Sequence, residues 1–230
     1  LGKEQVAAVT LSGILIFGVF ALSQVFSSGV HVLIARACGA GLSERAGMFL
    51  RDGLLTAALG GVIVAVVLGY LPAPALRLLG AEPDVVKIGI PYVVVMAAGF
   101  IISVPLFTLN SGFQATGEMK TAMVLTGISV GLNIVLDPVF IFGWGPIPSM
   151  GLSGAACATF LSFSCAFLCG VLYLRYHHTF NDFSMGARIN IITVKDIFVI
   201  GLPAGAHYVL LSLTATAMIR MVSEFGTTVV

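Results

Sequence analysis

Ile88-Gly-Ile-Pro-Tyr-Val-Val-Val-Met-Ala-Ala-Gly-Phe-Ile-Ile-Ser-Val-Pro-Leu-Phe-Thr-Leu-Asn-Ser-Gly-Phe-Gln-Ala-Thr-Gly117 runs without one Asp, Glu, Lys or Arg. A helix that crosses the hydrocarbon core of a bilayer needs about 20 largely apolar residues, and this run exceeds that length. Residues 5–35, 53–76, 138–174 and 197–219 are also free of charge, and the uncharged 121–136 continues through Asp137 to Phe142. Gly143, Gly145, Pro146, Pro148 and Gly151 form a turn cluster that splits 138–174. The spacing therefore predicts six helices, at roughly 5–35, 46–71, 86–113, 119–142, 152–176 and 194–223. Continuous apolar runs such as Val62–Leu68 lack the two-residue alternation of a barrel strand. The expected fold class is all-α, a polytopic transmembrane helix bundle.

Composition agrees. Of 230 residues, 58% are hydrophobic and 9% charged, with a mean hydropathy of +1.08. Soluble domains average about 25% charged residues, so this chain cannot clothe a globule of its size in polar groups. A net charge of +1 provides no basic field for a nucleic-acid partner. Cys38, Cys157, Cys165 and Cys169 form no CxxC pair and read as packing residues. No nucleophile–base constellation or metal motif appears, which argues against an enzyme. The chain opens at Leu1 with no basic signal-peptide region. We expect it to be a piece of something longer, with a helix preceding it.

The connecting segments suggest an orientation. Turns after the first, third and fifth helices carry Arg36, Arg45, Arg51, Lys120, Arg175, Arg188 and Lys195, whereas the opposite side carries Lys3, Arg77, Lys87 and Arg220. The positive-inside rule places the loops near Arg45, Lys120 and Arg188 in the cytoplasm. Gly127-xxx-Gly131 and Gly201-xxx-Gly205 put small residues on one helix face, as close helix packing requires. Gln24, His31 and His207 read as packed or interfacial residues, and His177 and His178 as headgroup-facing ones.

Asp137 breaks the pattern, because it stands as the acidic residue deep in a span. A carboxylate at the bilayer centre costs about 2.5–3.5 kcal/mol on insertion scales. Asn133 lies four residues earlier on the same helix face, and Pro138 follows, depriving the Ile134 carbonyl of its helical donor. A carboxylate, an amide oxygen and a freed carbonyl form an oxygen cage for a proton on Asp137 or for Na⁺, with Asp137 and Asn133 as candidate Na⁺ ligands. Pro138 is the candidate helix hinge.

Three stretches then resemble a known family. Gly117-Glu-Met-Lys-Thr-Ala-Met123, Asn133-Ile-Val-Leu-Asp-Pro-Val-Phe-Ile-Phe-Gly143 and Gly151-Leu-Ser-Gly-Ala-Ala-Cys-Ala-Thr159 are similar to the multidrug and toxic compound extrusion (MATE) transporters. Ala35-Arg-Ala-Cys-Gly-Ala40 resembles the end of that family's second helix, and Gly201-Leu-Pro-Ala-Gly205 the opening of its seventh. The resemblance implies a twelve-helix, two-lobe transporter of which this chain supplies about helices two to seven. Residues 1–190 would then belong to the N-terminal lobe, with a cytoplasmic inter-lobe loop at about 177–193. Residues 194–230 would open the C-terminal lobe, and the missing helices of the full-length chain would complete the cavity.

The pattern is most similar to the DinF-like branch. There, by resemblance, Asn133, Asp137, Thr159 and Asn110 would line a coupling-ion site completed by a helix-one acid outside this sequence. The stretch His207-Tyr-Val-Leu-Leu-Ser212 lacks the acidic residue typical of the NorM-like branch. The expected activity is H⁺- or Na⁺-coupled antiport of small organic, amphipathic compounds across the cytoplasmic (inner) membrane, with no other cofactor. The alternatives are a lipid-linked oligosaccharide flippase of the same superfamily and a non-transporting membrane assembly subunit.

Overall fold

The computed structural model describes residues 3–78, 83–144, 148–177 and 189–223. Within these, the side chains of 3–16, 18–19, 84, 88, 152, 212–213 and 215–223 are not described. The helices are α1 (Lys3–Gly39), α2 (Ser43–Tyr70), α3 (Pro72–Leu78), α4 (Pro83–Ala115), α5 (Met119–Phe142), α6 (Gly151–Tyr176) and α7 (Ile191–Ser223). Six of them are long and apolar enough to cross a membrane. In lipid the backbone must satisfy its own N–H and C=O groups, and a continuous helix does so within one segment. The short α3 lies between the expected helices 46–71 and 86–113. Pro72 starts it, at the position where a missing N–H costs nothing.

α4 is the centre of the bundle, packing on α1, α2 and α6, while α5 lies mainly on α6 and α7 on α1. Val30 and Ile34 of α1, Leu50 of α2, Leu109 and Phe113 of α4 and Ile197 of α7 meet in one core and are fully buried. A smaller cluster joins Leu76 of α3 to Val86 and Val93 of α4. The outer faces remain apolar, with Ile63 and Val67 on α2, Ile134 and Val135 on α5, and Val199 and Leu210 on α7 exposed. Apolar patches of this extent need lipid or protein as their solvent.

α1, α2, α4, α5 and α7 each start before their uncharged run, because charged residues near an interface are compatible with helix. Gly117 adopts φ 86°, and the Glu118 N–H bonds the Phe113 carbonyl at 2.9 Å. This left-handed glycine closes α4 and lets α5 start at Met119. Consequently Arg45 and Lys120 lie at the same end of the bundle, where α1, α4 and α6 finish and α2, α5 and α7 begin. Arg188 is outside the described residues.

Candidate functional site

α5 continues through Pro138 to Phe142, so Asn133 and Asp137 stay one helical turn apart on the same face. α6 approaches them closely at Gly154, whose missing Cβ makes room for the Phe140 carbonyl of α5. The same carbonyl accepts the Met150 N–H at 3.0 Å, tying the start of α6 to the end of α5. This close approach brings Thr159 opposite Asn133.

The resulting cluster is compact. The Asn133 amide nitrogen donates to Asp137 Oδ1 at 3.3 Å and to Thr159 Oγ1 at 3.3 Å, and the Thr159 hydroxyl donates to the Ala155 carbonyl at 3.0 Å. All three side chains are half-buried. The fourth expected member, Asn110 of α4, stands apart. It is 8% exposed, its Oδ1 is buried without a hydrogen-bond partner, and no hydrogen bond links it to the other three. Its neighbour Ser111 instead ties α4 to α1, donating to the Ser27 carbonyl at 2.8 Å, with His31 Nδ1 3.2 Å from the Ser111 carbonyl. Among the described residues no group of three or more His, Cys, Asp or Glu side chains converges as a metal site.

The donors of the α5–α6 cluster are carboxylate, amide and hydroxyl oxygens, the hard set that suits an alkali cation rather than a transition metal. The amide nitrogen of Asn133 faces the carboxylate. For a cation to sit between Asp137 and Thr159, this amide must turn about its terminal bond and present oxygen. For a proton, Asp137 needs no such turn. Thr159 also borders a cavity of about 90 Å³ between α1, α4 and α6, lined by Phe20, Met96, Phe100, Ser103 and Phe163 among others. Phe107 bridges Phe20 and Phe163, with ring centroids 5.5 and 5.7 Å away, beside this space. The polar cluster thus opens at Thr159 onto an aromatic chamber.

One buried acid escaped the sequence reading. Asp52 is 0% exposed inside α2, and Arg51, read above as a turn residue, is itself buried beside it. The uncharged run begins only at Gly53, so although the expected helix, 46–71, contains this pair, Arg51 reads as a turn cation and Asp52 as its end rather than as a buried acid. The available signal was an adjacent Arg-Asp between Leu50 and Gly53-Leu54, a charge pair that neutralises itself within apolar sequence. The two small-residue motifs also diverge. Gly201 and Gly205 of α7 fit against Val25 of α1, whereas among the described residues nothing approaches the Cβ positions of Gly127 and Gly131.

Comparison with known proteins converges on one family. The MatE family model matches residues 1–139. The chain is 30% identical over 230 residues to the "Probable multidrug resistance protein YoeA" of Bacillus subtilis (strain 168), covering 98% of this chain and 50% of the relative. It is 28% identical over 186 residues to an FAD transporter of Shewanella oneidensis, covering 77% of this chain and 39% of that one. A crystal structure of MATE in the straight conformation superposes with a TM-score of 0.86 at 30% identity, covering 98% of this chain and 49% of the other. The chain spans about half the length of these relatives, and it belongs to the MATE family of multi-pass membrane transporters.

Proposed function

We propose that this chain is the ion-coupling half of an antiporter that exports small organic compounds across the cytoplasmic membrane by alternating access. The observation that carries the reading is the Asn133–Asp137–Thr159 cluster, a titratable oxygen site between two spans that opens onto an aromatic chamber. Residues 1–190 are the N-terminal lobe, and 194–230 begin the second lobe, whose remaining helices complete the path. The loops near Arg45, Lys120 and Arg188 face the cytoplasm.

In this mechanism H⁺ or Na⁺ arrives at Asp137 and neutralises it. Neutralisation removes the carboxylate's demand for the Asn133 amide and releases that side chain from Thr159, which borders the chamber. The part of α5 around Pro138 lacks one backbone hydrogen bond and yields first. Because coupling between two sites is reciprocal, an ion that favours one chamber shape lowers affinity for a substrate that favours the other. A DinF-like arrangement is supported by the cluster itself, to which Asn110 makes no hydrogen bond.

One named relative is a "Probable multidrug resistance protein" and another an "FAD transporter". An aromatic lining suits planar apolar compounds, whereas an anionic dinucleotide needs basic groups that this lining does not supply. A flippase for anionic lipid-linked sugars needs a cationic chamber, and none of the described residues lining the cavity is basic. The test is accumulation of a fluorescent cation by cells expressing the full-length gene, with and without a Na⁺ gradient. Asp137→Asn should abolish gradient-driven efflux while leaving membrane expression intact. Undiminished efflux by that variant overturns the mechanism.

A further inference from the structure

The Arg51–Asp52 pair is the most deeply buried charge in the described chain, and the coupling mechanism leaves it without a role. Asp52 Oδ1 receives two guanidinium hydrogen bonds from Arg51, from Nε at 2.9 Å and Nη2 at 2.7 Å. Its other oxygen, Oδ2, accepts the backbone N–H of Asn190 at 3.3 Å. Asn190 stands immediately before α7, and its own Oδ1 accepts the Ile192 N–H at 3.0 Å, as a helix N-cap does. A carboxylate from α2 therefore satisfies a donor at the root of α7 and faces the positive end of that helix.

A buried ion pair is expensive to desolvate and is weak evidence for stability alone. Here the pair aims one oxygen across a helix–helix interface at a backbone group that cannot move without moving α7. Farther along, α7 touches α1 through close backbone and apolar contacts, with Ile197 over Gly29 and Gly201 and Gly205 over Val25. Such surfaces can roll or separate, whereas the root is held by a directional charge-assisted bond.

We propose that Asp52 is a positioning residue that pins the start of α7 to α2, making Asn190 the pivot about which α7 swings. The pinning stands on the geometry alone; its use in transport rests on the alternating-access reading above.

The experiment uses the full-length protein in lipid nanodiscs, with its cysteines replaced by serine and spin labels at Met48→Cys and Lys195→Cys. Asp52→Asn and Asn190→Pro, the latter lacking the N–H, should each lose the single narrow distance seen without them. Asn190→Ala, which keeps the N–H and loses only the side-chain cap, should retain it. An unchanged distribution in Asn190→Pro overturns the pin, and so does equal broadening in Asn190→Ala. Should Asp52→Asn fail to fold, the two Asn190 variants still decide. In the efflux assay, Asn190→Pro should lower turnover several-fold and Asn190→Ala should not, both at unchanged apparent KM. Broadened distances with full turnover overturn the pivot. Failure of wild-type efflux would sink the transport reading and leave the distance result standing.

Discussion

Gly201 of α7 lies directly on the backbone carbonyl of Val25 in α1, so closely that no Cβ fits between them. This contact lets α7 follow α1 along the bundle, with Phe198 and Phe26 edge-to-face one turn away at 5.5 Å. A larger residue must push the two helices apart. Gly201→Val should cost about 1–3 kcal/mol, the usual penalty for overpacking a close contact. Gly127→Ala, placed where nothing approaches, should stay within about 0.5 kcal/mol of wild type. Thermal unfolding of the full-length protein in detergent compares the two, and equal losses would contradict the packing described.

Thr159 is held by its size and by its hydroxyl. Thr159→Val keeps the volume and removes the acceptor for the Asn133 amide. The lost hydrogen bond is worth about 0.5–1.5 kcal/mol, or roughly a two- to tenfold weaker apparent affinity for the coupling ion. Thr159→Ser should recover most of it. Ion-dependence curves for efflux measure the effect, and indistinguishable curves for Val and Ser would remove Thr159 from the site.

Gly99 borders the aromatic chamber, and nothing lies within 4 Å of its Cβ position. Gly99→Leu should therefore fill the chamber without disturbing the bundle. The expected result is an apparent KM for organic substrate raised about tenfold, equivalent to about 1.4 kcal/mol of lost binding. Membrane expression and ion dependence should stay as in wild type. A substrate response identical to wild type would place the binding chamber elsewhere.

Cys38 is exposed in the last turn of α1, at the bundle end shared with Arg45 and Lys120. With that end in the cytoplasm, a membrane-impermeant maleimide should label Cys38 in inside-out vesicles and spare it in intact cells. The half-buried Cys157, Cys165 and Cys169 should react far more slowly. Labelling of intact cells would reverse the orientation.

Much of this protein is legible without coordinates, and the failures have specific causes. Asn133 and Asp137 are a pair on any helix, because four residues make nearly one turn. Thr159 joins them only because Gly154 lets α6 approach α5, a condition invisible in residue spacing. Asn110 could be placed on α4, yet its buried Oδ1 makes no hydrogen bond to the cluster, an outcome that spacing along the chain does not decide. Asp52 was missed because counting charges treats Arg51-Asp52 as two loop markers, when together they are one neutral buried unit.

The sequence by itself determined that the chain is a set of membrane helices, where each span lies, and to which family it belongs. Those properties are one-dimensional, since a bilayer of fixed thickness tests the length and apolarity of each run separately. Tertiary structure decided which polar groups touch: of the four that the resemblance groups, Asn133 bonds Asp137 and Thr159 but not Asn110, and Asp52 meets the root of α7. Such meetings depend on how each helix is rotated and how closely glycine lets it approach its neighbour, and spacing along a single chain fixes neither.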